Sequence, residues 1–248
     1  MKEIIIETLV FFPFLYGPLV SYQLGGITDM ALEGVLVFIP IIIYNFMNQN
    51  FLLPLISIIP FLIILLKQGE NRNILSSIII LTYLQSINLI LLKTPIQSLL
   101  DFPILSLSTL IYLNIFLFVL FCVVKYSKTG LLFRGYKFNR KVLKNVGKGP
   151  QNIRLLIYLI SYLFIGISGI IMAMHQQFLS IYMGLGNLML AIGFIVIGKR
   201  VPVIFMLCLF YFTLYHLFVY YGFDSMYLKA SIALIFASFL LKKDFLYA

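Results

Sequence analysis

Tryptophan is absent from this chain, cysteine and histidine occur twice each, and only eight of 248 residues are acidic. Each shortage excludes something. Cys122 and Cys208 both lie inside apolar runs, so they form neither a disulfide framework nor a metal-ligand spacing. His175 and His216 stand 41 residues apart with no acid or thiol at ligand spacing, which makes them hydrogen-bonding residues rather than a metal site. No GxxxxGK[ST], HExxH or GxSxG occurs, and no Cys/His cluster. The chain therefore carries no recognised ATP-binding device, no acid–base or nucleophilic constellation and no implied cofactor. Charged residues make up only 10% of the total, where a soluble domain has about a quarter. A soluble globule is excluded.

What is present is apolar surface. Hydrophobic residues make up 62% of the chain, and the mean hydropathy is +1.07. The apolar stretches are long and continuous, without the period-two alternation of a barrel. The expected fold is an all-α polytopic transmembrane bundle of about eight or nine spanning helices, over 4–23, 32–48, 51–67, 74–92, 104–124, 154–174, 184–198, 201–221 and 226–241. The opening MKEIII has a charge of each sign and no small-residue cleavage site after it, so the first run is expected to be retained.

The cations orient these segments. Lys125, Lys128, Arg134, Lys137, Arg140, Lys141, Lys144, Lys148 and Arg154 are nine of the eighteen Lys and Arg, and no acid lies between Asp101 and Asp224. A basic loop between two hydrophobic runs belongs on the cytoplasmic face. With the N-terminus outside and the C-terminus inside, fifteen of the eighteen cations fall on that face, leaving out Lys2, Lys93 and Lys229. The net charge of +10 then reflects topology and anionic lipid headgroups, not nucleic acid. Inside the loop, FNRKVLKNVG predicts a short amphipathic helix over 139–146. Asn139 would be its N-cap, Val142, Leu143 and Val146 its apolar face, Arg140, Lys141 and Lys144 its polar faces, and Gly147 its stop.

Polar interruptions mark a tentative translocation path. Gly25 and Gly26 break the first apolar run, and Thr28 or Asp29 can cap the helix that follows. Asp29 and Glu33, four apart, share one face of it. A solvated cap at a membrane edge and a discontinuous helix lining a transport route both account for this break. Gln85, Ser86 and Asn88 sit in an apolar helix, where interhelical hydrogen bonds are the first explanation and solute contact the second. Gly26, Asp29, Glu33, Gln85 and Asn88 make up the candidate path. Small residues such as Gly166, Gly169, Gly184 and Gly198 allow close helix packing. The Tyr cluster Tyr211, Tyr215, Tyr220 and Tyr221 fits an interfacial belt, with a solute-facing wall as the alternative.

Several of these stretches together resemble a known family. GITDMALEG (26–34), YLQSINLILL (83–92), NRKVLKNVG (139–147) and the pair SYLFIGISGIIMAMHQQF and MGLGNLMLAIGFIVIG follow in order along nearly the whole chain. They resemble the permeases of bacterial ABC importers in the branched-chain amino acid/ribose superfamily, above all the compact tryptophan/tyrosine-type permeases. Leu143, Lys144, Asn145 and Lys199 depart from that pattern. The resemblance implies a type II importer-like fold in one transmembrane permease domain, 1–248, with a cytoplasmic coupling loop at 125–153. It also implies a multi-pass protein of the bacterial cytoplasmic (inner) membrane, paired with a second permease copy. ABC ATPase subunits would bind the 139–147 helix, and an extracytoplasmic binding protein would deliver a small solute such as an aromatic amino acid. A gradient-driven secondary transporter is the alternative, and a membrane enzyme or lipid-handling protein a third.

Overall fold

Eight of the nine apolar runs form helices in the computed structural model, which describes residues 1–48, 50, 52–67, 74–99, 103, 105–139, 143, 149–184 and 186–222. The ninth run lies outside the described residues. We number the helices α1 (Lys2–Pro18), α2 (Ala31–Met47), α3 (Leu52–Lys67), α4 (Ile74–Leu92), α5 (Leu107–Tyr126), α6 (Lys128–Phe138), α7 (Pro150–Gln176), α8 (Asn187–Gly198) and α9 (Val201–Tyr220). Two three-residue strands, β1 (Ile96–Ser98) and β2 (Phe178–Ser180), pair antiparallel. The protein is an all-α membrane helical bundle. Among the described residues, four helical stretches are long and apolar enough to cross a bilayer: 2–24, α5, α7 and α9.

Prolines shape the first helix. Pro13 and Pro18 lie inside α1, and the chain after Pro18 widens into a π-helical turn over Leu19–Leu24. Proline donates no N–H, so the helical ladder must rearrange around it. Gly26 then turns the chain with φ +66°, conformation that glycine adopts without strain.

α1 and α7 form the centre of the bundle, and α2 packs along α7. Glycines set the approach. A Cβ on Gly169 would meet the Leu36 carbonyl oxygen, and one on Gly17 would meet the Ile165 side chain. Small residues at such crossings let backbones touch, which is how helices associate where no hydrophobic force separates them from lipid. Phe12, Tyr16, Phe121, Phe164 and Phe205 fill the space around α1 with tilted and edge-on ring contacts 5.1–5.7 Å apart.

Contacts fix the helix directions relative to one another. Asn114 on α5 donates to the Leu9 carbonyl at 2.8 Å and Phe121 meets Tyr16, so α1 and α5 run parallel. Gly17 faces Ile165 and Gly25 faces Ile157, so α1 and α7 run antiparallel. At one end Gln23 donates to the Lys199 carbonyl at 2.6 Å, and Lys137 donates to the Gln23 carbonyl at 3.0 Å. The β1–β2 pair ties together the connections after α4 and α7. The basic connections therefore share one end of the bundle.

α6 is a helix of the basic loop that the sequence reading did not assign. The described helix occupies 128–138, ahead of the run assigned to the coupling helix, and Asn139 is the extended residue that ends it. Gly130, Phe133 and Tyr136 form its buried face, while Lys128, Leu131, Arg134, Lys137 and Phe138 are exposed. Leu143 is helical but buried, with Gly135 of α6 beside it. Its side chain is part of the bundle's packing. Arg140, Lys141, Val142, Lys144, Val146 and Gly147 lie outside the described residues.

Candidate functional site

α8 has 12 residues, about 18 Å at helical rise, too short for a hydrocarbon core of roughly 30 Å. Its first turn therefore starts within the bundle. Gly186 precedes it with φ +80°, and Asn187 Nδ2 donates to the Met183 carbonyl at 3.0 Å. The Leu188 N–H donates to Glu33 Oε1 at 3.0 Å. A carboxylate at a helix start satisfies a free amide and opposes the positive end of the helix dipole. Glu33 thus anchors the broken end of α8 to α2.

Asp29 does the same for α2. It is 1% exposed; Oδ1 accepts from the Ala31 N–H at 3.1 Å and Oδ2 from the Tyr162 hydroxyl at 2.7 Å. The cap is buried, unlike the solvated edge that the sequence suggested as one account. Asn88, also 1% exposed, donates to the Gly34 carbonyl at 3.4 Å, an α4–α2 bond of the kind expected. Gln85 lies on the same helix, half-buried. Gly26 sits at the opposite place, under the Lys137 side chain at the basic end.

The cavity is elsewhere. A space of about 300 Å³ lies between α1, the end of α7, the start of α8 and α9. α1 contributes Glu7, Val10 and Phe11; α7 contributes Met172, His175 and Gln176. Met183, Asn187 and Leu190 close one side, and Tyr211, Phe212 and Tyr215 of α9 the other. None of Gly26, Asp29, Glu33, Gln85 and Asn88 lines it. The position is at the end of the bundle away from Gln23, Lys137 and Lys199, because α1 and α7 run antiparallel and the lining residues come from the start of one and the end of the other.

Glu7 stands within the first apolar run. In the fold it meets His216, whose Nε2 lies 3.2 Å from Glu7 Oε2. An ionisable pair in a membrane helix points to function by default. The signal available beforehand was the acid itself, three residues into a 20-residue apolar stretch. The tyrosine cluster divides in place. Tyr211 and Tyr215 line the cavity, while Tyr220 and Tyr221 are exposed near the helix end. Among the described residues no cluster of three or more His, Cys, Asp and Glu could hold a metal.

With this geometry in hand, two similar proteins bear on function. The chain is 32% identical over 132 residues to the "Tyrosine transport system permease protein" of Clostridioides difficile. It resembles a transport permease. The match covers 51% of this chain and 45% of that protein. A longer match, 27% identical over 210 residues, covers 79% of this chain and 75% of an uncharacterized protein of Rickettsia prowazekii. No family model and no solved structure matches.

Proposed function

We propose that this chain is the membrane-embedded permease subunit of an ATP-binding-cassette importer in the bacterial cytoplasmic membrane. The observation that carries the proposal is the similarity to a permease of a tyrosine transport system, over half of a chain that forms a membrane helical bundle. In this reading residues 1–248 are one permease domain, N-out and C-in, working as a pair with a second copy. The basic end faces the cytoplasm, in keeping with the positive-inside rule. The exposed face of α6 (Lys128, Leu131, Arg134, Lys137, Phe138) joins Arg140, Lys141 and Lys144 as the surface for an ATPase subunit. An external binding protein delivers an amino acid, an aromatic one first, to the opposite end.

α8 and α2 suit an element that moves. Both begin inside the bundle on carboxylate caps, so the protein can shift either helix without exposing a free helix end to lipid. ATP-driven closure of the partner subunits would push on the basic end and rock these short helices.

Glu7 and His216 favour a second reading, a carrier coupled to an ion gradient, because such carriers keep ionisable groups in the membrane. Reconstitution separates the two. Proteoliposomes holding only this chain, under an imposed proton or sodium gradient, should accumulate no aromatic amino acid above empty liposomes. Concentrative uptake by the chain alone would establish the carrier and remove the subunit assignment.

A further inference from the structure

The cavity has one formally charged lining residue among Asp, Glu, Lys and Arg, and it is Glu7. Its side chain is 32% exposed and lines the space, with Oε2 buried on the His216 side. Oε2 is turned toward His216, and a carboxylate has acceptor capacity beyond one partner. Four of the residues that line the cavity with Glu7 are Phe or Tyr. Phe212 packs edge-on against Phe11 at 5.7 Å and against Tyr211 at 5.1 Å, with Tyr215 next to it at 6.5 Å. Ring faces attract cations, and do so more strongly away from bulk water.

The helix end that would favour an anion is already occupied. The first turn of α8 borders the cavity through Asn187, but the Leu188 amide is taken by Glu33. No Lys or Arg lines the space to replace it. A volume of about 300 Å³ lies at the lower end of the roughly 300–1,000 Å³ typical of small-molecule sites.

From these observations we infer that the cavity is a binding site for a small organic ammonium group carried on an apolar or aromatic body, with Glu7 as its counter-ion and Phe11, Tyr211, Phe212 and Tyr215 as its walls. His216 is a positioning residue that aims the carboxylate. The inference rests on the reading of this end of the bundle as the solute's entry side, and names the chemical feature of the solute that is recognised there. For an amino acid, that feature is the α-ammonium group; the carboxylate end meets no cation in the cavity.

Calorimetric titration of the full chain in lipid nanodiscs, with any co-purifying subunits retained, tests this with three probes of similar body. They are 2-phenylethylamine, L-phenylalanine and 3-phenylpropionate. The amine should bind, and the propionate should bind at least about tenfold more weakly, the scale of one charge-assisted hydrogen bond. Glu7→Gln should weaken the amine by a similar factor while the propionate is unaffected. Equal affinity for amine and propionate, no binding of any probe, or an unchanged amine affinity in folded Glu7→Gln protein would each overturn the inference. If Glu7→Gln does not fold, the wild-type comparison still decides. None of these titrations needs ATP. Absence of ammonium selectivity in the wild-type chain would leave the importer assignment standing, and absence of an ATPase partner would leave the selectivity standing.

Discussion

Gly169 and Gly186 restrict substitution for opposite physical reasons. Gly169 is helical, but a Cβ there would meet the Leu36 backbone oxygen, which cannot rotate away. Gly186 has nothing within 4 Å of an added Cβ, yet its φ of +80° disfavours any L side chain. Gly169→Ala should push α2 from α7, with an overpacking cost of about 1–3 kcal/mol. Gly186→Ala should cost about 1–2 kcal/mol as local strain, without moving the helices. Thermal unfolding of the purified variants measures both losses, and a disulfide-trapping distance between α2 and α7 should change only in the first. An unshifted α2–α7 distance in Gly169→Ala would contradict the close-packing account. The glycines were legible in the sequence as small residues in apolar helices. Their partners were not, because Leu36 and Gly169 meet only after the chain has folded back on itself. The same is true of Glu7 and His216, near opposite ends of the described chain.

At the scale of elements, length and apolarity were enough to find eight helices, since an uninterrupted apolar run in lipid has few other ways to satisfy its backbone. Boundaries moved where polar residues extend a helix past the hydrophobic run. α7 starts at Pro150, ahead of the first apolar residues, because proline suits the first position of a helix. α6 was hidden for a different reason. Its buried face holds Gly130, Phe133 and Tyr136 among cations and a second glycine, Gly135, so neither hydropathy nor helix propensity marks it. The carboxylates Asp29 and Glu33 were visible as polar breaks, but their roles as buried helix caps depend on Ala31 and Leu188 amides that tertiary structure brings to them.

The placement of α6 and the β1–β2 pair at opposite ends gives a topological prediction. Single cysteines at Leu131 and Phe138, both exposed on α6, should react with a membrane-impermeant maleimide only in inside-out vesicles. A cysteine at Tyr182, exposed just past β2, should react only from the outside of intact cells. The labelling belongs in a background with Cys122 and Cys208 replaced, since both are free thiols. Labelling of both positions from one side would break the alternation of helix directions seen in the fold. Reversal of the two sides would keep the fold and invert the proposed orientation.

For the whole molecule, a bundle with a basic end and a cavity at the other end fits the proposed subunit, one that would take its energy from another protein. Composition made the membrane class legible at once, because a chain with so little charge has no soluble alternative. The cavity was not legible, since it is assembled from four separated stretches of the chain. The most direct test is affinity purification of the tagged chain from its native membranes in mild detergent, followed by assay of ATP hydrolysis in the eluate. The account predicts that an ATPase subunit co-elutes and that vanadate-sensitive hydrolysis comes with it. A chain that elutes without any ATPase, yet supports solute accumulation once reconstituted, would contradict it.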